Sequence, residues 1–120
     1  MARPKRVPDE KPLFWIGSSK KDLLAFPEAV IDEIGTALSV AQFGGKHQML
    51  NLGEVVEDHH TDTFRAVYTV RFDRAIYVLH TFQKKSPSGI KTARKNVELI
   101  GRRLNEARSD YEVRYGTEEK

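Results

Sequence analysis

The chain has 120 residues, no cysteine and a hydrophobic fraction of 39%. This length predicts one domain, since roughly 100 to 150 residues is the commonest domain size. The composition excludes a disulfide framework and a wholly disordered chain. The sequence also lacks an apolar run long enough to cross a membrane and the charged segment followed by an apolar run that is typical of a signal peptide. We therefore expect a soluble, cytoplasmic protein.

Basic residues are concentrated in the second half of the chain. Residues 1–64 contain 7 lysines or arginines against 10 acids, whereas residues 65–114 contain 12 against 5. The stretch from Arg74 to Val97 has no acid and carries six basic residues, which are Arg74, Lys84, Lys85, Lys91, Arg94 and Lys95. Such a run predicts a local positive field that attracts a phosphate-bearing partner, with a solvated loop as the simpler alternative.

The first half of the chain reads as an arm, a strand and two helices. Residues 1–11 mix prolines with basic residues and predict a flexible arm. Leu13 to Ile16 is a short apolar run that predicts a strand, and the Ser19-x-x-Asp22 pattern is typical of a helix start. Pro27 favours the start of a second helix. Its apolar stripe ends before the Gly44-Gly45 pair and comprises Val30, Ile34, Ala37, Leu38 and Ala41.

Three strands are predicted in the middle of the chain. A short strand covers Glu54 to Asp58, and a turn of His60, Thr61 and Asp62 leads to the strand that begins at Phe64. We expect Asp73-Arg74 to form a two-residue loop to the following strand. That loop pairs Val67 with His80 and Arg65 with Phe82.

This pairing divides the hairpin into a charged face and an apolar face. The charged face carries Arg65, Arg71, His80 and Lys84. The apolar face predicts the core side of a sheet covered by helices, and carries Phe64, Tyr68, Val70, Phe72, Tyr77 and Leu79. A one-residue slip in register would reverse the assignment.

A last helix is predicted after the Ser86-Pro87-Ser88-Gly89 loop, with Thr92 as its cap. Arg94 and Lys95 then lie in the first turn, where the helix dipole favours an anion, so a bound phosphate would offset their unfavourable placement. The alternative is that both side chains extend into water. We expect the domain to cover residues 12–110, followed by a flexible tail at 111–120. The apolar seam of the helix comprises Ala93, Val97, Ile100, Leu104 and Ala107.

Several motifs in this order carry a family resemblance. They are K-P-L-F-W-I-G-S-S at Lys11 to Ser19, A-F-P-E at Ala25 to Glu28, A-Q-F-G-G-K-H at Ala41 to His47, T-F-R-A-V-Y-T-V at Thr63 to Val70, and Y-V-L-H-T-F-Q-K-K-S at Tyr77 to Ser86. Over roughly residues 11–110 the chain resembles toxins of the RelE/ParE superfamily of toxin-antitoxin systems, in the HigB-like, phage-associated branch. The resemblance implies an α+β fold with two N-terminal helices packed on a small antiparallel sheet and a C-terminal helix.

The resemblance also implies a function and partners. Many members are ribosome-dependent ribonucleases that cut mRNA without a cofactor, and others inhibit DNA gyrase. Each is neutralised by an antitoxin, which in this branch is often a helix-turn-helix protein. We therefore expect an mRNA endoribonuclease. The alternatives are a non-enzymatic toxin that binds gyrase or another target, and a degenerate member that acts as an interaction module.

The resemblance and the required chemistry suggest a set of site residues. Arg65 matches an arginine that stabilises phosphate, and Lys84 and Lys85 match the basic end of the following strand. His80 is a candidate for proton transfer because imidazole titrates near neutral pH, although a packed strand histidine is commoner. The expected catalytic residues are Arg65, His80 and Lys84, and the expected RNA-binding residues are Arg71, Lys85, Lys91, Arg94 and Lys95.

Two features depart from the family pattern. RelE-type ribonucleases carry lysines on the strand before the arginine strand, but the segment from Leu52 to Glu57 contains none. Ala93 replaces a proline that is frequent in relatives. Tyr111 and Tyr115 are the two candidates for a site tyrosine in the C-terminal tail. We expect no metal site, because adjacent strand residues such as His59 and His60 point to opposite faces.

Overall fold

The computed structural model describes residues 10–43, 52–60, 62–84 and 90–116, with side chains of the last segment described from residue 94. The predicted Gly44-Gly45 helix stop, the 86–89 loop and Lys85 lie outside these residues, as do the side chains of Lys91 and Ala93. The elements in chain order are β1 (Leu13–Trp15), α1 (Ser19–Leu24), α2 (Glu28–Ala41), β2 (Leu52–His59), β3 (Asp62–Thr69), β4 (Ile76–Lys84) and α3 (Ile90–Tyr115).

The four strands form one sheet in the order β1-β4-β3-β2. The predicted α+β fold is confirmed, but the sheet is mixed rather than antiparallel because β1 runs parallel to β4. The chain passes through two helices between β1 and the rest of the sheet, so no hairpin forces the antiparallel direction. In the described parts of the chain, no helix is both long and apolar enough to cross a membrane.

Helix α1 begins where the sequence predicts, but the cap differs. Ser18 is the residue before the first turn, and its Oγ donates a hydrogen bond to Asp22 Oδ2 at 2.8 Å. Ser19 is instead fully buried, and its Oγ donates to the carbonyl of Val78 at 3.0 Å. The predicted capping residue therefore attaches α1 to β4.

Helix α2 confirms the predicted start after Pro27 and most of the predicted stripe. Its buried residues are Val30, Ile34, Leu38 and Ala41. They pack against one face of the sheet, in a cluster that includes Phe64, Ala66 and Tyr68. The 3.6-residue period of the apolar positions places them on one side of the helix, which is why this face is covered.

Helix α3 covers the opposite face of the sheet. Ala107 and Tyr111 are buried there against a second cluster that contains Phe72, Tyr77 and Leu79. The rings of Phe72 and Tyr111 stack with their centroids 4.5 Å apart. Tyr111 thus belongs to the core, and α3 continues to Tyr115, beyond the predicted boundary at residue 110.

The start of α3 also differs from the prediction. The helix begins at Ile90, so Thr92 is inside it and is not its cap. Arg94 and Lys95 consequently lie beyond the first turn, where the helix dipole contributes less to anion binding. Val97 is 67% exposed and is not part of the seam, which Ile100, Leu104 and Ala107 carry.

The connection between β3 and β4 is longer than the predicted two-residue loop, because residues 70–75 separate the strands. The predicted pairs of Val67 with His80 and of Arg65 with Phe82 are nevertheless confirmed. The register then shifts, since Tyr68 pairs with Val78 and leaves Leu79 as an extra residue. Because of this β-bulge, the predicted pairs form even though the connection is longer than the predicted loop.

The bulge changes which side chains share a face. Tyr77 and Leu79 lie in the α3 cluster, whereas Val78 lies in the α2 cluster. Thr81 faces α1, where its Oγ1 donates to the carbonyl of Ser19 at 2.7 Å. The predicted apolar face was therefore correct for Phe64, Tyr68 and Val70. It was wrong for Tyr77 and Leu79, because the extra residue reverses the alternation of β4, and for Phe72, which lies in the connection between the strands and packs in the α3 cluster.

Glycine at position 53 is required by the close approach of a tyrosine ring. Gly53 pairs with Tyr68, and a Cβ at Gly53 would lie 2.7 Å from Tyr68 Oη. We expect Gly53→Ala to lower the free energy of unfolding by roughly 1 to 3 kcal/mol, the usual cost of overpacking. Urea denaturation of the purified variant measures this change.

Gly35→Ala is the matched control. Gly35 is exposed within α2, and a Cβ there would meet nothing within 4 Å. This variant should gain roughly 0.5 to 1 kcal/mol, because alanine loses less backbone entropy in a helix. A Gly53→Ala protein as stable as the wild type would show that the Tyr68 ring moves aside without cost.

Candidate active site

Three residues of the predicted charged face, Arg65, His80 and Lys84, lie on the side of the sheet where α3 packs. Arg65 lies on the central strand β3, between Val56 on β2 and Phe82 on β4, to which it is directly paired. Glu54, two residues before Val56, points to the same side because strand residues alternate. We call Glu54, Arg65, Phe82 and Lys84 the open face.

An ion pair is the central contact of the open face. Arg65 Nη1 donates to Glu54 Oε2 at 2.9 Å, and the two side chains are 27% and 40% exposed. Arg65 Nε is buried and has no hydrogen-bond partner among the described residues. The described contact that orients the guanidinium is therefore the bond from Nη1 to Glu54.

His80 lies deeper than a group that exchanges protons with a substrate. It is 7% exposed, its Nε2 lies 3.0 Å from Asn96 Oδ1, and its Nδ1 is buried without a partner among the described residues. The amide oxygen can only accept, so Nε2 carries the proton. The ring stacks on Phe82 with centroids 4.6 Å apart. This arrangement gives His80 the role of supporting Phe82.

Burial lowers the pKa of His80, and the hydrogen bond to Asn96 only partly opposes this effect. The nearby positive charge of Arg103 lowers the pKa of His80 further. The imidazole is therefore neutral near pH 7, because its unperturbed pKa of 6.5 is already below that value.

Of the other predicted site residues, Lys84 lies on the open face and Arg71 does not. Lys84 is exposed at the end of β4, opposite Thr63, and on the same side of the sheet as Arg65. Arg71 lies outside the strands, with its guanidinium 5.9 Å from the centroid of the Phe72 ring, so the structure does not bring it to the open face.

The basic residues of α3 complete the predicted set. Arg94 and Lys95 are exposed on α3, and the side chains of Lys85 and Lys91 lie outside the described residues.

Comparison with known proteins identifies the family. A family model described as phage-derived Gp49-like protein (DUF891) matches residues 21–105. The chain belongs to this family. Gp49-like proteins are RelE-like toxins, which confirms the predicted resemblance at this level, while the HigB-like branch stays a prediction. No curated protein and no solved structure matched the chain.

Two residues of the open face of this Gp49-like protein were not predicted as site residues, namely Glu54 and Phe82. The position of Glu54 beside Arg65 follows from the hairpin between β2 and β3, in which His59 pairs with Asp62. The sequence interpretation counted Asp62 as part of the turn and assigned no register between these two strands, so it did not place Glu54 near Arg65. His60, with φ of 58°, occupies the left-handed conformation that such tight turns require.

The described residues contain no group of three or more histidine, aspartate or glutamate side chains arranged to hold a metal ion. His59 and His60 are close, with ring centroids 4.3 Å apart, because His60 has left the strand conformation. The cationic groups of the open face are the guanidinium of Arg65 and the ammonium group of Lys84.

The buried, neutral His80 predicts a pH dependence of stability. Because the folded-state pKa is below the unfolded value of 6.5, the unfolded chain binds more protons as the pH falls below that value. We expect the free energy of unfolding to decrease below about pH 6.5, by at most about 1.4 kcal/mol per pH unit from this one group. The decrease should stop once the pH is below the folded-state pKa.

Urea denaturation between pH 7.5 and pH 5 measures this dependence in the wild type and in His80→Gln. For His80→Gln, the free energy of unfolding should not decrease over the upper part of this pH range, even if its value at pH 7.5 is below that of the wild type. An identical slope in both proteins would show that His80 is not the group that titrates.

Proposed function

We propose that this Gp49-like protein is the toxin of a toxin-antitoxin system and acts as a metal-independent endoribonuclease on mRNA at the ribosome. The toxin assignment follows from the family. The observation that carries the enzymatic part is the position of Arg65, a partly exposed guanidinium on the open face of the central strand. Lys84, on the same side of the sheet, adds a second positive charge.

The reaction requires the chemistry that these side chains supply. RNA cleavage by its own 2′-hydroxyl needs a group that removes the hydroxyl proton, a positive group that balances the charge developing on phosphate, and a proton for the leaving 5′-oxygen. Arginine provides the second component, since its planar fork of N–H donors matches two phosphate oxygens. Phe82 lies directly opposite Arg65 and can stack on an unpaired base, as aromatic side chains do in single-strand recognition.

An antitoxin is the partner indicated by the family, and we propose a helix-turn-helix protein for this role. Coexpression of both genes followed by affinity purification tests the pairing. A stoichiometric complex supports it, and recovery of the chain alone at matched expression contradicts it.

A non-enzymatic toxin that binds gyrase is the second candidate. It is favoured by the burial of His80, because the histidine that the sequence offers for proton transfer does not reach the open face. Primer extension on cellular mRNA after expression separates the two functions. New cuts within translated frames support the ribonuclease, whereas intact mRNA with DNA damage supports the gyrase interpretation.

The Arg65→Ala variant tests whether Arg65 is required for mRNA cleavage. We expect loss of mRNA cleavage by about 100-fold or more, the usual effect of removing a donor that stabilises a developing negative charge. The fold should be retained, because a partly exposed ion pair contributes only about 0 to 1 kcal/mol. Cleavage of a reporter mRNA in a purified translation system measures the loss.

Arg102→Ala is the matched control for the removal of one positive charge. Arg102 is exposed on α3 and is not among the residues of the open face, so its replacement should leave cleavage within about twofold of the wild type. If Arg65→Ala cleaved as fast as Arg102→Ala, the position of Arg65 would be unrelated to the reaction.

A further inference from the structure

Three exposed arginines lie where β4 begins and α3 ends, and each is placed over an aromatic ring. The guanidinium carbon of Arg114 is 4.1 Å from the ring centroid of Phe14, and that of Arg74 is 4.9 Å from the ring centroid of Tyr115. The guanidinium carbon of Arg71 lies 5.9 Å from the centroid of a third ring. We call this set the arginine end, and it comprises Arg71, Arg74, Arg114, Phe14, Phe72 and Tyr115.

The rings of the arginine end belong to one continuous row of aromatic contacts. Tyr115 packs against Tyr111 with ring centroids 4.8 Å apart, and Tyr111 stacks on Phe72 at 4.5 Å. Phe72 contacts Tyr77, and Tyr77 contacts Phe14. The three middle rings of the row are buried, so the close-packed core fixes their positions. The arginines are therefore placed by the core, although their own side chains are exposed.

The arginine end is separate from the open face. Strand β4 runs from Ile76 to Lys84, so at about 3.3 Å per residue Phe82 lies roughly 20 Å from the start of the strand. Arg74 lies two residues before that start, and its backbone N–H donates to Tyr111 Oη near the end of α3. One nucleotide is too small to span this distance. A nucleotide held at the open face therefore leaves the arginine end available for another part of a ligand.

Acidic residues limit what the arginine end can bind. Asp110 accepts hydrogen bonds from Arg114 and Tyr77, and Asp73 and Glu112 are exposed in the same part of the molecule. The positive charge is thus partly balanced, so the long-range attraction of a polyanion to this surface is weak. Binding at the arginine end has to come from short-range contacts of the guanidinium groups.

Guanidinium groups placed over rings make two kinds of short-range contact with unpaired nucleotides. A guanidinium with an aromatic ring on one face can stack on a base through its other face. Its edge carries N–H donors that match two oxygens of a phosphate. A duplex keeps its base faces stacked inside, and a carboxylate of an acidic peptide uses only the edge. The arginine end therefore fits single-stranded RNA better than a duplex or an acidic peptide.

Resting on the proposed ribonuclease function, we propose that the arginine end is a second binding surface for the same RNA strand that the open face holds. At about 3.4 Å per stacked nucleotide, roughly six nucleotides connect the two surfaces. Arg71 and Arg74 contact bases and phosphates of the segment beyond this connection. Arg71 thereby has the RNA-binding role that its sequence predicts, at a place away from the open face.

Two contacts on one strand predict an affinity that depends on RNA length. An RNA of about five nucleotides reaches only one surface, whereas an RNA of about sixteen nucleotides reaches both. Simultaneous binding at both surfaces raises the affinity without any new contact at the open face. The gain in affinity from the shorter to the longer RNA is therefore the quantity that tests the second surface.

Fluorescence anisotropy with the full chain measures this gain, using single-stranded 2′-O-methyl RNAs of both lengths, which lack the attacking hydroxyl and are not cut. We expect the gain in the wild type to be at least about tenfold larger than in Arg71→Gln/Arg74→Gln, within the range for the stacking of one or two bases. Comparing the two proteins cancels the greater number of positions that a longer RNA offers to any one surface.

Two further variants separate planar contacts from charge. Lys20→Gln/Lys21→Gln is the matched control, because it also removes two exposed positive charges, from α1, and it should keep the wild-type gain. Arg71→Lys/Arg74→Lys keeps both charges but has no planar guanidinium, and it should lose most of the gain. A wild-type gain in this lysine variant would overturn the stacked contact, since charge alone would then explain the binding.

The same gain in the wild type and in Arg71→Gln/Arg74→Gln would overturn the second surface. Urea denaturation checks that each variant is folded, and Arg71→Gln alone, which changes a residue outside the strands, should still lose part of the gain. Cleavage of mRNA is measured separately. Cleavage without the length-dependent gain would overturn this inference and leave the ribonuclease standing, whereas the gain without cleavage would contradict the ribonuclease and support the RNA-binding surface.

Discussion

The hydrogen bond from Arg103 to the carbonyl of Leu79 connects the two halves of this structure. Arg103 Nη1 donates to that carbonyl at 2.9 Å, and Nη2 donates to Ser18 Oγ at 3.2 Å. The guanidinium thus joins α3 to the bulge of β4 and to the start of α1. Gly17, with φ of 57°, lies against it, and a Cβ at that position would be 2.9 Å from Arg103 Cζ. A small residue in a left-handed turn is what lets the arginine enter.

The bulge held in this way determines how the sheet is covered on both faces. It places Leu79 and His80 on the α3 side and returns Val78 and Thr81 to the side of α1 and α2. A sheet packed by helices on both faces leaves limited room for polar groups to reach solvent. The open face exists where this cover ends, and there Arg65 and Glu54 are only partly exposed and bonded to each other. Partial burial strengthens the attraction between these two side chains relative to fully solvated charges.

Local sequence patterns predicted the helices and strands well, because the formation of these elements depends on interactions between residues that are close in the chain. The stripe from Val30 to Ala41 follows the period of a helix, and Pro27 indicates where that helix begins. The pairs of Arg65 with Phe82 and of Val67 with His80 were predicted from an assumed two-residue loop, and they form although the connection is longer, because β4 contains a bulge. The α3 start and the loop between β3 and β4 were not, since both depend on contacts with distant residues.

The candidate site was predictable only in part, for the same reason. Arg65 could be identified from its strand motif, and the basic bias of the second half indicated an anionic partner. Glu54 required the register between β2 and β3, and the burial of His80 required the position of Asn96 on α3. Neither is encoded in a local pattern, because each arises where segments far apart in the chain meet.

By itself, the sequence determined the α+β class, the two N-terminal helices, the three-strand run and the arginine on its central strand. The helices, the strands and the position of the arginine follow from periodicity, turn chemistry and charge within a few residues, and the α+β class is what the family resemblance implies. Only the tertiary structure decided that β1 pairs parallel to β4, that the bulge at Leu79 divides the core, and that Glu54 bonds to Arg65. Those outcomes are decided by packing between distant segments, where a single extra residue in a strand reverses the direction of the side chains that follow it.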